Sequence, residues 1–212
     1  METVKDLVEA FRDDEKDEAK HSFWSDTQLI RWVNQAIDRF CVKTRSIYDS
    51  TSDFTLIDCA AGESVFPRHA CIIDVVQAYT VGANGRDLEV QAPGYTRQRD
   101  LPRTGMPKIV VVDNTDLRVY PPFVAANQIQ LEVIRRPIRP VGMSERIPDV
   151  PVHEREHLLL YLKHRAYRVN DAEIFDPAKS ANFLAEFDQA CQEYFETATA
   201  GRRSGSIRYG GL

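Results

Sequence analysis

The sequence predicts an α+β protein. N- and C-terminal helices form a helical bundle, an antiparallel β-rich domain is inserted between them, and an extended C-terminal arm follows. Three observations lead there. Apolar residues recur at helical spacing near both ends of the chain, the period falls to two in the middle, and residues 201–212 lose periodicity altogether. With 212 residues, 43% of them hydrophobic, the chain is long enough to bury a sizeable core as one composite domain or two small ones.

The first helix is marked by Val4, Leu7, Val8 and Phe11. The charged run at residues 12–18 (R-D-D-E-K-D-E) is expected to be a solvated helix end or loop. The strongest local signal lies at residues 23–37 (F-W-S-D-T-Q-L-I-R-W-V-N-Q-A-I). Ser25 suits an N-cap because its hydroxyl oxygen can accept from an orphan amide of the first turn. Gln28 completes a capping box, and Trp24 can staple onto Leu29. Leu29, Trp32, Val33, Ala36, Ile37, Phe40 and Cys41 then form one helical stripe, so the helix should run over residues 26–45.

Strand patterning takes over near residue 51 and persists to about residue 141. Leu88 and Val90, Leu117 and Val119, and Ile129, Leu131 and Val133 alternate with polar neighbours, as half-buried strands do. Asn84-Gly85 reads as a tight hairpin and Asp113-Asn114 as a second turn. Helical spacing returns in residues 153–169, carried by Leu158, Leu159, Leu162, Ala166 and Tyr167. Asp176 and Pro177 start a last helix whose apolar face comprises Phe183, Leu184, Phe187, Ala190, Cys191, Tyr194 and Phe195, and Gly201 is expected to end it. The expected organisation is helices in 1–50, a β-rich insertion in 51–142, helices in 143–200 and a docking tail in 201–212. The bundle core should contain Trp24, Leu29, Trp32, Val33, Phe40, Leu158, Leu162 and Phe187.

Charge divides along the same lines. Residues 51–142 hold ten acidic and ten basic residues, while net charge is −3 in 1–50, −5 in 143–200 and +3 in 201–212. A net −5 chain has no general attraction for DNA or anionic membranes. The N-terminus lacks the apolar run of a signal peptide, and no stretch approaches the roughly 20 apolar residues of a membrane span. Cys41, Cys59, Cys71 and Cys191 are scattered without metal-ligand spacing, and read best as reduced thiols.

The sharpest chemical motif is His153-Glu154-Arg155-Glu156-His157, an H-E-x-x-H pattern that on an α-helix could hold zinc, with the glutamate as general base. Charged residues between the histidines and the lack of a convincing third ligand weigh against it, and a polar first turn beside the positive end of the helix dipole is the simpler reading. No glycine-rich phosphate loop or G-x-S-x-G is present, and Arg97, Arg99, Arg135 and Arg136 read as strand and loop charges. No catalytic, metal or cofactor site is therefore assigned. The tail (G-R-R-S-G-S-I-R-Y-G-G-L) offers Arg202, Arg203, Ile207, Arg208 and Tyr209 as anchors for a partner on which it would order.

Four segments, taken in order, resemble the head-to-tail adaptor (connector) proteins of tailed bacteriophages. They are W-S-D-T-Q-L-I-R-W-V-N-Q-A-I-D-R-F at 24–40, D-S-T-S-D-F-T-L at 49–56, I-P-D-V-P-V-H-E-R-E-H-L-L-L-Y at 147–161 and A-Y-R-V-N-D-A-E-I-F-D-P-A-K-S-A-N-F at 166–183. The resemblance implies a non-enzymatic virion protein of the neck, assembled in the host cytoplasm. It implies a ring, usually a dodecamer, that binds the portal protein, extends the DNA channel and retains packaged DNA. Such a ring offers a platform to tail or nozzle proteins, passes duplex DNA through its lumen without reading its sequence and involves no membrane. Another neck or tail-completion protein is the nearest alternative, and a zinc-dependent hydrolase using His153, Glu154 and His157 a remote one.

Overall fold

Four α-helices and an eight-stranded mixed sheet, counted among the described residues, make the protein α+β. The computed structural model describes residues 1–17, 23–82, 85–94, 104–169, 171 and 174–203, with side chains described as far as Ala200. The chain separates into two compact units, one of Met1–Ser46 with Pro137–Leu212, the other of Ile47–Arg136. These limits fall a few residues before the changes of periodicity near residues 51 and 141.

The helical unit contains α1 (Val4–Glu15), α2 (Asp26–Thr44), α3 (Leu158–Ala166) and α4 (Pro177–Arg203). Helix α3 packs on both α2 and α4, α2 touches α4, and α1 rests on α2 and α3. Capping boxes start the first two helices, Thr3 with Asp6 on α1 and Ser25 with Gln28 on α2. The amides of Glu2 and Thr3 donate to the Asp6 carboxylate and hold its pKa down at about 2. The rings of Trp24 and Phe11 meet in a T-shaped contact, with centroids 5.2 Å apart.

The charged run ends α1 as its composition suggests, with Asp13, Asp14 and Lys16 exposed, and departs from that expectation only at Asp17. Helix α1 continues to Glu15, and Asp17 turns inward until only 4% of it is exposed. Its carboxylate accepts from Arg12 at 2.6 Å and from the Phe23 amide at 2.7 Å, while Arg12 also reaches the Trp24 carbonyl and Asp26. A chain reversing between two capped helices must satisfy its backbone amides, and a buried carboxylate does so here. Glu18 lies outside the described residues.

The helix expected over 153–169 also differs. The segment enters as a 3-10 turn, Val152–His157, and becomes α-helical only at Leu158. Arg155 explains the difference. Its guanidinium points into the protein and donates to the carbonyls of Ile147 (2.6 Å), Val150 (3.0 Å), Met1 (3.1 Å) and Glu2 (3.4 Å). The same N-terminal residues run beside the 143–147 segment, with Val4 N–H donating to Glu145 and Ile147 N–H to Glu2. At the start of α4, Asp176 accepts from the Lys179 amide at 2.9 Å, as an N-cap should. Gly201 does not end this helix, which runs through to Arg203. A helical glycine costs about 1 kcal/mol relative to alanine, which a long preformed helix can absorb.

The β unit comprises β1 (Tyr48–Asp49), β2 (Leu56–Cys59), β3 (Val65–Pro67), β4 (Ile72–Thr80), β5 (Asp87–Gln91), β6 (Ile109–Val112), β7 (Asp116–Tyr120) and β8 (Asn127–Arg135). Their order is β1-β8-β4-β5-β6-β7-β3, with β2 also pairing β8. The expectation of a purely antiparallel domain needs correction, because β5 and β6 are parallel. The first part of β5 pairs with β4 (Leu88 with Ala78) and the second part with β6 (Val90 with Val110). Residues 92–108 connect β5 to β6, long enough for the crossover that a parallel pair requires. Two register shifts in β4 add local twist. Val75, Ala78, Leu88, Val110, Leu117, Val119, Ile129, Leu131 and Val133 form the core with Phe66 and Phe123.

Turn chemistry is recognisable in two places. Asp113 N–H donates to the Asp116 carbonyl between β6 and β7. Between β4 and β5 the loop is longer than the two-residue turn expected at Asn84-Gly85, since the Thr80 amide donates to the Arg86 carbonyl and the Arg86 amide to the Thr80 hydroxyl. Gly82 carries the positive φ, 120°, and a Cβ on Gly85 would lie 2.9 Å from the Thr80 carbonyl oxygen. Asn84 lies outside the described residues.

Ser25→Ala removes one half of a capping box and should lower stability by about 1 kcal/mol, measured by urea denaturation. Arg155→Met leaves its carbonyl acceptors unmatched and should cost about 1.5–3 kcal/mol in the same assay.

Candidate functional site

The H-E-x-x-H segment is the first place to look for chemistry. Residues three apart eclipse in a 3-10 turn, so His157 aligns with Glu154 while His153 and His157 diverge. Both histidines face solvent, His153 with 73% of its side chain exposed and His157 with 41%. Their Nε2 atoms lie 3.5 and 3.7 Å from Glu154 oxygens, an arrangement of two loose ion-pair contacts and not a ligand set. Among the described residues no group of three or more His, Cys, Asp or Glu side chains could hold a metal ion. The residue of this motif that carries a structural role is Arg155, which sequence reasoning treated only as an intervening charge. One signal could have found it. Arg155, Leu158, Leu159 and Leu162 stand at i, i+3, i+4 and i+7, which places the arginine on the buried stripe.

The cysteines are thiols, with Cys41, Cys59 and Cys191 buried and Cys71 half-buried. Burial pushes the Cys59 thiol up to about 11 and the Cys191 thiol up to about 12, so both stay protonated and unreactive at neutral pH.

Polar clusters in the helical unit tie helices together. Arg39 and Lys43 of α2 converge on Asp188 of α4 at 3.1 and 3.0 Å. Burial alone would raise the Asp188 pKa, but hydrogen bonds from these two cations outweigh it and hold the carboxyl below its ordinary value. The Tyr167 hydroxyl sits between Glu15 of α1 and Lys179 of α4, and Lys163 of α3 lies 2.7 Å from Asp14. Burial and the Glu15 contact raise the Tyr167 phenol, and that phenol in turn raises Lys179.

Trp24, Leu29, Trp32, Val33, Phe40, Leu158, Leu162 and Phe187 are all buried. On α4 only Phe187 and Cys191 of the apolar stripe are fully covered, while Phe183, Leu184, Ala190, Tyr194 and Phe195 remain half-buried. Tyr194 packs against Phe40 with centroids 5.5 Å apart. A partly open aromatic helix face therefore leads towards the tail. The side chains of Arg202 and Arg203, and all of Ile207, Arg208 and Tyr209, lie outside the described residues, as do Arg97 and Arg99. No helix of the described residues is long and apolar enough to cross a membrane.

The polar groups of this unit thus join its helices, and one aromatic helix face is left half open. The chain matches the family described as SU10 adaptor protein over residues 2–210 and belongs to that family, which makes it a phage structural adaptor. A comparison with curated proteins gives no match.

Replacing both His153 and His157 by alanine should change unfolding free energy by no more than about 0.5 kcal/mol, as expected of exposed side chains. Elemental analysis of the purified protein should find no stoichiometric zinc before or after that change.

Proposed function

We propose that this chain is the head-to-tail adaptor that seats beneath the portal of a tailed phage. Copies assemble head to tail into a ring, usually a dodecamer, which extends the DNA channel, helps retain the packaged genome and presents a platform to tail or nozzle proteins. The observation that carries this reading is the adaptor-family match over nearly the whole chain, including both compact units. A ring of identical subunits uses heterologous contacts, so each copy must offer two different surfaces. A helical unit with a half-open α4 and a separately folded β unit supply surfaces of different character.

The tail is the portal-docking element in this proposal. Helix α4 reaches Arg203, and the sequence continues for nine more residues, among them Ile207, Arg208 and Tyr209. Two bulky apolar side chains flanking an arginine, with glycines around them, suit a segment that orders in a partner's groove. The acidic helical body suits passage of DNA, because like charge keeps the polyanion from sticking to a channel wall.

Native mass spectrometry of the full chain with and without the portal ring of the same genome tests this function. The expected result is a ring-sized complex that forms on the portal, and that is lost for a chain ending at Arg203, a truncation that leaves α4 intact. Failure of the full chain to associate with the portal under any condition would overturn the portal-adaptor assignment. Undiminished association of the truncated chain would overturn the role of the tail.

A further inference from the structure

The end of α3 carries two arginines that the helical unit leaves unanswered. Past Ala166 the chain leaves the helix through a tighter turn, in which Arg168 N–H donates to the Arg165 carbonyl at 3.3 Å and Val169 N–H to that of Ala166 at 3.1 Å. Residues three apart align in such a turn, so Arg165 and Arg168 share a side. Arg168 is exposed and Arg165 half-buried. Neither guanidinium makes a hydrogen bond or ion pair among the described residues, and the Nε of Arg165 is buried without a partner. Arg39 of α2 adds to them, since all three arginines repel a proton from the buried His164 ring and their positive fields therefore overlap. Of the three, only Arg39 meets a carboxylate, that of Asp188.

The outer face of α4 has the opposite character. From Ser180 to Ala200 this helix holds four acidic residues and no basic one. Asp188 is taken by Arg39 and Lys43, which leaves Glu186, Glu193 and Glu196, all exposed. Glu193 and Glu196 accept hydrogen bonds from Gln189 and Gln192 one turn back, but no lysine or arginine among the described residues pairs with any of the three. Glu186, Ala190 and Glu193 stand at i, i+4 and i+7 and so form one stripe. The half-buried Phe183 and Tyr194, one turn from Glu186 and Ala190, border it with aromatic surface.

We propose that two copies of this chain meet through these surfaces, with Glu186 and Glu193 of one copy seated on Arg165 and Arg168 of its neighbour. Charge complementarity selects the occupant, because each surface carries what the other lacks. A half-buried guanidinium without an acceptor is costly until a partner supplies one, and carboxylates suit its planar fork. Phe183 and Tyr194 give the contact an apolar part beside its charge pairs, as protein interfaces have. The two surfaces lie on different helices, so a copy that receives its neighbour's α4 still offers its own to the next, and the contact is heterologous. The inference rests on the ring proposed above and names residues that join its subunits. Duplex DNA is the poorer occupant, since residues 143–200 carry a net −5 that repels it.

Charge reversal in the full chain tests the contact. One variant carries Arg165→Glu with Arg168→Glu, the other Glu186→Lys with Glu193→Lys. In native mass spectrometry with the portal ring, each variant alone should give at least about tenfold less ring-sized complex than the wild type, because like charges then face each other. An equimolar mixture should restore it, since every contact between unlike variants again pairs opposite charges. Undiminished rings from either variant alone, or no recovery on mixing folded variants, would overturn the contact. Rings that persist while the arginine variant loses duplex-DNA binding would overturn it in favour of nucleic acid. If the arginine pair does not fold when reversed, Arg168→Glu mixed with Glu186→Lys decides by the same criteria. A wild-type chain that ignores the portal counts against the adaptor reading, and sedimentation of the same chains without portal at low salt then decides the contact. Wild-type self-association that the variants lose separately and regain together supports it, and a wild type that stays monomeric there overturns it.

Discussion

The helical unit depends on bringing together pieces of chain that lie more than a hundred residues apart, and the Arg155 guanidinium is where that joining is most concentrated. It gathers carbonyls from the first two residues and from the 147–150 segment. Lysine could not replace it, since a point ammonium lacks the planar fork that reaches several acceptors at once. Around this knot the N-terminal residues run beside the 143–147 segment, and α3 follows with α2 and α4 packed on it. The salt bridges from α2 and α1 to the later helices reinforce the same joining at half-exposed positions, where each contributes little alone.

Much of this was legible in the sequence wherever one local rule sufficed. The Ser25 capping box, the stripe from Leu29 to Cys41 and the Asp176 cap depend on neighbours within a turn or two, and the structure places all of them. The alternating strands β5, β7 and β8 were visible for the same reason. What escaped depended on distant partners. Asp17 and Arg155 are charged, and composition alone assigns charges to the surface. Their burial follows from amides and carbonyls that only the folded chain brings near. The parallel pairing of β5 with β6 is equally nonlocal, because strand direction depends on the path of the connection and not on side-chain alternation.

The surfaces relevant to assembly were less legible than the core. The α4 stripe read as one apolar face, yet its residues divide between two buried positions and a half-buried remainder. Periodicity cannot tell a face that the chain covers from one that it leaves for a partner, because the hydrophobic pattern is the same in both. The family match identifies the kind of protein, and the half-open helix face shows where its chain leaves apolar surface unspent.

The division of the chain also sets an order of events during synthesis. Every strand pairing of the β unit lies within Ile47–Arg136, so the sheet has all its partners once that span has left the ribosome. Helices α1 and α2 emerge earlier, but must wait for α3 and α4 before their apolar stripes are covered. The helices made before the sheet are therefore covered after it, and in that interval Trp32, Phe40 and their neighbours are apolar surfaces open to chaperones and to mispairing with other nascent chains.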